Sequence, residues 1–339
     1  MRVSDYIAEK LYSSGVTQVY GLMGGGASGL NDGFIKHGKI KYICFHHEQG
    51  AAYAAYGEAR STGKIAVINP TTGCGGTNCM TPLLNAWQDS VPLVFISGNV
   101  RNHHTTNYLN RTRDVQLRKY GVQEHDIINN VKTITKYSAV VESPSEIKRM
   151  LEKAITIATS GRKGPVWLDI PSDVQTASLE NINLTDYDPY ADSLEKDQKI
   201  NLTFERFEEN LYKSKRPILI AGGGIPSNKR LEFRKFVEKY DIPVVTTYIS
   251  KELLPYSHKL NLGVIGIKGT RAANFAMQHS DFLAIMGCSL NAVHVGYDEK
   301  QFAPFAYKVM FDIDANEFYK YTVKIDEFVK TDLEYFFNA

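Results

Sequence analysis

The residues best suited to chemistry lie between positions 44 and 57, CFHHEQGAAYAAYG. Here a single carboxylate, Glu48, stands where an apolar segment, KYICF, runs into a helix-forming run of small residues. Two histidines precede it and alanines follow, and these solvate a charge poorly. Such an acid is a candidate for catalysis. Its rival reading is a helix-start carboxylate, held by free backbone N–H groups and the macrodipole, which alone accounts for it equally well. His46 and His47 are adjacent, so a strand would send them to opposite faces and no shared metal is expected. The pair His103 and His104, within NHHTTN, reads as a solvated loop.

Three further stretches, GLMGGGAS, PTTGCGGTN and SGNV, each follow a predicted strand. In a doubly wound sheet such loops collect at the carboxyl edge, where ligands bind, and Glu48 belongs to the same rim. One glycine loop alone would mean only tight turning and close packing. Four converging positions say more. Neither GLMGGGASG nor AGGGI keeps the dinucleotide spacing, and no phosphate loop ending in Gly-Lys-Ser/Thr occurs. Met23 and Cys74 also give these loops apolar character.

The elements that must position these residues alternate between strand and helix in both halves. TQVYGL, KYICF, KIAVINP, PLVFISG and GPVWLDIP read as buried strands of the first half, with helices between them. Continuous apolar strands separated by helices predict a parallel sheet covered on both faces. Residues 179–198 are polar, acidic and aperiodic, and read as a linker. The second half restarts with RPILIAGGG and continues through NKRLEFRKFVEKY, IPVVTT, FLAIMG and YKVMFDID before a closing helical tail. The expected fold is α/β: two tandem doubly wound parallel-sheet domains, residues 1–178 and 199–339.

Composition narrows the function classes. The chain has 339 residues, too many for one ordinary core. Lys plus Arg number 39 against 37 Asp plus Glu, so charge gives no reason to expect nucleic acid or acidic lipid as a partner. No stretch has the length of a membrane span and the amino terminus lacks a secretory core, so a cytoplasmic enzyme is expected. Cys44, Cys74, Cys79 and Cys288 have no zinc-type spacing and read as reduced thiols.

These residues also carry a resemblance. HHEQGAAYAAYGEARSTGKIAVINPTTGCGGTN, followed by DSVPLVFISGNV, resembles the pyrimidine-binding domain of thiamine diphosphate enzymes of the acetolactate synthase type. Those enzymes typically show R-H-E-Q-G-A-A-x-A-A-x-G-Y-A-R-x-T-G-K and T-S-G-P-G-x-T-N. The likeness continues through YGVQEHDIINNVKTITKY and GPVWLDIPSDV. RPILIAGGG, IPVVTTYISKELLPYSH, LGVIGIKGTRAANFAM and FAPFAYKVMFDID are similar to the family's central domain, so nearly the whole chain is covered.

The resemblance implies thiamine diphosphate as cofactor, with a carboxylate at N1′ of its aminopyrimidine ring, and the matching residue is Glu48. Sharing a proton there favours the 4′-imino tautomer that removes the C2 proton of the thiazolium. Poor solvation favours the protonated form of a carboxyl, which suits that contact. Thr71, Thr72, Gly73, Cys74 and Asn78 would line the pyrimidine pocket, Gly24 and Gly25 would approach the reacting carbon of the cofactor, and Asn99 would be a further cofactor-binding position. Gly25 and Gln123 would face a 2-keto acid substrate. A homodimer or higher oligomer is implied, since family members complete the site across subunits.

Several positions depart from the family pattern. Leu22 and Met23 replace Tyr-Pro, Cys74 replaces Pro, and Asn99 is shorter than the usual Gln, so the substrate pocket is expected to differ from that of acetolactate synthase proper. GCSLNAVHVG stands where flavin-binding members have an R-F-D-D-R-type run and Lys268 replaces a His, so FAD is doubtful. No Gly-Asp-Gly or Gly-Asp-Ser motif is present to hold Mg²⁺ and diphosphate. The sequence is therefore expected to be a truncated piece, or to need a third domain or partner chain, and to be inactive alone. The expected activity is decarboxylation or carboligation of a 2-keto acid. The alternative is a non-catalytic interaction or regulatory relative that lost its third domain, and a nucleotide- or CoA-binding enzyme ranks below both.

Overall fold

The computed structural model describes residues 1–189 and 200–337, with backbone only at 200–203. The chain divides into two compact units, 1–193 and 194–339. In the first, α1 (Val3–Ser13), β1 (Gln18–Gly21), α2 (Ser28–His37), β2 (Lys41–Cys44), α3 (Glu48–Thr62) and β3 (Ala66–Asn69) are followed by α4 (Cys74–Thr77), α5 (Met80–Gln88) and β4 (Leu93–Asn99). Then come α6 (Thr106–Arg113), α7 (Ile127–Val131), β5 (Tyr137–Val140), α8 (Ile147–Thr159), β6 (Val166–Pro171) and α9 (Ser172–Thr176).

The six strands pair in parallel in the order β2-β1-β3-β4-β6-β5. Adjacent residues face opposite sides, as the two-residue strand period requires. Val19, Val67, Val94 and Leu168 join one core with α1, α2 and α8. Tyr20, Ile68, Phe95 and Trp167 join the other with α3 and α5. Both faces are thus covered, which is why these strands read as unbroken apolar runs. Chain order reverses between β1 and β3, and the carboxyl ends flanking such a reversal form a crevice.

The second unit contains α10 (Ile200–Lys213), β7 (Pro217–Ala221), α11 (Arg230–Lys239), β8 (Val244–Thr246), β9 (Asn261–Val264) and α12 (Arg271–Gln278). It continues with β10 (Phe282–Met286), α13 (Ala292–Val295), β11 (Tyr307–Asp312), α14 (Asn316–Tyr319), β12 (Glu327–Lys330) and α15 (Leu333–Phe336). Its parallel sheet runs β12-β11-β10-β7-β8-β9. At the reversal between β7 and β10 the glycine loop AGGG is bonded to the opposite loop. Gly222 N–H donates to the Met286 carbonyl and Gly224 N–H to the Gly287 carbonyl, both at 2.9 Å. These glycines serve a close backbone approach between the two loops.

The helical tail expected after YKVMFDID is corrected: two short helices there enclose a strand, β12, which pairs with β11. Only Val329 of EFVK is buried, so this edge strand has no apolar run to announce it. Of the expected linker, residues 179–189 are described. Leu179 N–H donates to the Met1 carbonyl at 2.9 Å and Thr185 N–H to the Ser145 carbonyl at 3.0 Å. Residues 190–198 lie outside the described residues. All four cysteines are free. No helix among the described residues is long and apolar enough to cross a membrane.

Candidate functional site

β1, β2 and β3 end level with one another, Gly21 being paired with both Cys44 and Asn69. Their following segments therefore leave the sheet side by side. His47 caps α3, its ring nitrogen accepting the Gln49 N–H at 3.1 Å, so Glu48 opens the helix. The histidines have left the strand by this point and are exposed.

Glu48 is only 6% exposed. Asn78 Nδ2 donates to its Oε2 at 2.9 Å. The other oxygen, Oε1, borders Gly75, where an added Cβ would lie 3.1 Å away. The Cys79 thiol sits 3.8 Å from the Glu48 carbonyl oxygen, and burial raises its pKa, keeping it neutral. The carboxylate is thus oriented by an amide and bordered by glycine backbone, while the neutral thiol lies against the backbone carbonyl of the same residue.

Thr71 stands between the two glycine loops. A Cβ on Gly24 would come within 2.5 Å of Thr71 Oγ1, and one on Gly75 within 2.6 Å of its methyl, so only glycine lets the loops approach so closely. The Thr71 hydroxyl oxygen is buried without a hydrogen-bond partner. Leaving a buried hydroxyl unpaired costs about 1–3 kcal/mol, so it marks a place that a ligand could satisfy.

Gly73 precedes α4 with φ +62° and is closed over by the Gln123 carbonyl, which an added Cβ would overlap. Gln123 itself has φ +56°, unusual for a residue with a side chain, and its side chain is exposed. Cys74 is exposed at the start of α4. Gly25 is also exposed, with open space where its Cβ would be.

Thr72 leads inward. Its hydroxyl donates to Asn99 Oδ1 at 2.9 Å, and the Val100 N–H donates to the same oxygen at 2.8 Å. Asn99 Nδ2 donates to Asp169 Oδ2 at 2.7 Å, while Ser97 Oγ donates to Asp169 Oδ1 at 2.5 Å. The Asn99 amide is therefore engaged within the protein. Asp169 is 3% exposed, and burial pushes its carboxyl up to about 6 although the bonds from Ser97 and Asn99 pull the other way.

Glu48, Gly24, Thr71 and Asn78 thus surround Gly75 and its neighbours; Thr72 is bonded to Asn99, and Gly73 abuts Gln123. Two polar side chains holding these loops were missed from sequence, Asp169 and Gln175. Gln175 Nε2 donates to the carbonyls of Gly26 and Ile170, both at 2.7 Å. The available signal for Asp169 was an acid inside an otherwise apolar strand, VWLDIP; none marked Gln175. Among the described residues no cluster of three or more His, Cys, Asp or Glu could hold a metal ion.

Comparison with known proteins assigns this geometry to a family. Residues 1–129 match the family described as thiamine pyrophosphate enzyme, N-terminal TPP binding domain. Residues 204–338 match the thiamine pyrophosphate enzyme central domain. The chain belongs to the thiamine pyrophosphate enzyme family. It is 35% identical over 335 residues to the acetolactate synthase large subunit of Lactococcus lactis, covering 98% of this chain and 55% of that one. The acetolactate synthase large subunit of Corynebacterium glutamicum is 36% identical over 88% of this chain and 46% of its own length. The isozyme 1 large subunit of Escherichia coli is 32% identical, over 93% and 53%. The chain spans about half the length of the curated relatives it matches.

The rim of this thiamine pyrophosphate-binding domain suits an aminopyrimidine. It offers a buried carboxylate and an unsatisfied hydroxyl on loops drawn together at glycines, groups that match a flat heterocycle bearing both donors and acceptors.

Proposed function

We propose that the complete protein uses thiamine diphosphate to decarboxylate or carboligate a 2-keto acid, as an acetolactate synthase-like enzyme, and that this chain supplies the pyrimidine side of the site. The observation that carries this reading is the buried Glu48 carboxylate, fixed by Asn78 and facing glycine backbone beside the unpaired Thr71 hydroxyl. Thiamine diphosphate, when bound, supplies the carbanion chemistry at C2.

The chain's own residues have narrower tasks. Asn78 occupies Glu48 Oε2, so Oε1 is the atom proposed to exchange a proton with N1′ of the ring. Gly24, Gly73 and Gly75 let the loops close on one another beside the ring, and Thr71 and Thr72 border its polar edge. Gly25, Cys74 and Gln123, which are exposed on this rim, are proposed to face the substrate side. Asn99 acts from beneath, through Thr72. The retained acid and its supports favour catalysis over a non-catalytic relative.

Mg²⁺ and the diphosphate are proposed to be held by a further domain or partner chain, in keeping with relatives about twice as long. On that reading the 339-residue chain alone is inactive, and the working protein is a homodimer or larger. A cytoplasmic location fits the free cysteines. Flavin is left out of the proposal, because GCSLNAVHVG and Lys268 differ from the residues that flavin-binding members carry there.

The test is Glu48→Gln in the complete protein. The amide keeps the size of the side chain but cannot trade the proton, so deuterium exchange at C2 of bound thiamine diphosphate, followed by NMR, should slow about 10²–10⁴-fold. Exchange at the wild-type rate would remove Glu48 from the role.

A further inference from the structure

Asp169 lies inside the sheet, away from the rim, yet a continuous series of bonds joins it to the loop that carries Thr71–Cys74. Resting on the reading of that rim as the pyrimidine site, we propose that Asp169 is a positioning residue of the site, acting through the Asn99 amide on Thr72.

An amide group can be placed either way round, and what decides is which neighbours donate and which accept. Thr72 Oγ1 and the Val100 N–H both donate to Asn99, so its oxygen must face them. Its nitrogen then needs an acceptor, and Asp169 Oδ2 is that acceptor at 2.7 Å. The second carboxylate oxygen is fixed by Ser97 Oγ, which in turn accepts the Trp167 indole N–H at 2.8 Å. Trp167 stacks on Phe95 with the rings parallel and their centres 4.6 Å apart, so the base of the series is rigid. A carboxylate accepts at both oxygens and donates at neither, which leaves one consistent arrangement for every group up to the Thr72 hydroxyl. Thr72 is then held one residue from the left-handed Gly73, at the base of the loop that bears Thr71 and Cys74.

The test is spectroscopic, on the 339-residue chain labelled at threonine methyls and backbone amides. Asp169→Asn should displace the Thr72 methyl and Gly73 amide signals, and so should Asn99→Ala. Adding Asp169→Asn to Asn99→Ala should displace those two signals no further, because the connection is already cut. Additive displacements, or unmoved signals in Asp169→Asn, would overturn the inference. Ser97→Ala loosens one oxygen of Asp169 but keeps the bond from Asn99 to the other, and should displace both signals less than Asp169→Asn does; a displacement as large as that of Asp169→Asn would mean general loosening and would also sink it. Should Asp169→Asn not fold, Thr72→Val reads the series from its other end. The side-chain amide signals of Asn99 then move if the connection exists and stay if it does not. In a second arm, thiamine diphosphate with Mg²⁺ is titrated into the complete protein while the loop signals are followed. Asp169→Asn should need roughly tenfold more ligand, the size of one misplaced hydrogen bond, and an unchanged requirement counts against the inference. No response from the complete wild-type protein would instead fault the assignment of the site, leaving the first arm to decide the positioning role.

Discussion

Asp169 links the interior of the sheet to pH. Burial raises its pKa from an ordinary 3.8 to about 6, with the charges of Asp126 and Glu124 adding to the effect and the bonds from Ser97 and Asn99 opposing it. The folded chain therefore binds this proton more tightly than the unfolded chain does. The stability it contributes is complete below about pH 3.8 and is lost as pH rises through about 6. The loss amounts to about 3 kcal/mol from a shift of this size. Urea unfolding at a series of pH values should show the wild type losing ground to Asp169→Asn between pH 4 and 7; a constant difference between the two would refute the shift. Gly73 is the other residue with a sharp consequence. Its φ of +62° and the overlying Gln123 carbonyl leave no room for a methyl group. Gly73→Ala should cost about 1–3 kcal/mol from the backbone alone, read as a lower urea midpoint, and should displace the segment around Gln123. An unchanged midpoint would mean that the loop readily rearranges.

At the scale of elements, the corner from β6 into α9 holds the rim from below. Gln175 is fully buried, and it binds the Gly26 and Ile170 carbonyls while accepting from the Leu30 N–H at 3.3 Å. One side chain therefore ties the glycine loop and the start of α2 to the end of β6. Gln175→Leu would leave these backbone groups without partners, a loss of about 1–3 kcal/mol for each one that stays buried. Hydrogen exchange followed by mass spectrometry should quicken at residues 24–30 while β3 and β4 keep their protection; uniform quickening would show that Gln175 supports the whole sheet instead. The same corner shows what was legible in the sequence. KIAVINP, PLVFISG and GPVWLDIP announced their strands because burial on both faces selects mostly apolar residues, and the loops after the first two marked part of the rim. Glu48 was found because an acid among alanines is conspicuous. Gln175 was not, since a polar residue in DVQ looks like surface until the loop that covers it is in place. β12 and β9 escaped for a related reason: edge strands bury little, and their pairing is decided by the neighbouring strand more than by their own residues.

At the scale of the whole molecule, the first unit leaves apolar side chains outside on the two helices nearest Glu48. Tyr53 of α3 and Leu84 and Trp87 of α5 are each about two-fifths exposed. The Tyr53 hydroxyl donates to Asn85 Oδ1 at 2.9 Å, which brings the outer surfaces of the two helices together. Leu84 and Trp87 are three residues apart on α5 and so share one side of it. Three large side chains are more than α3 and α5 need for their own packing, because the alanines Ala51, Ala52, Ala55 and Ala86 already fill the space beneath them. Such a surface suits association, and it adjoins the helix that Glu48 begins, so a second copy seated there would lie beside the proposed site. Light scattering on the purified protein should therefore give a mass of at least two chains of 38.1 kDa each. Leu84→Glu with Trp87→Glu should lower that mass toward one chain, since two carboxylates would have to be buried against the partner. Neither residue touches the buried polar series from Thr72 to Asp169, so the Thr72 and Gly73 signals should keep their positions apart from what the loss of the partner itself causes. A single-chain mass for the wild type would remove the association from the proposal, and an unchanged oligomer in the double variant would move the contact to another face.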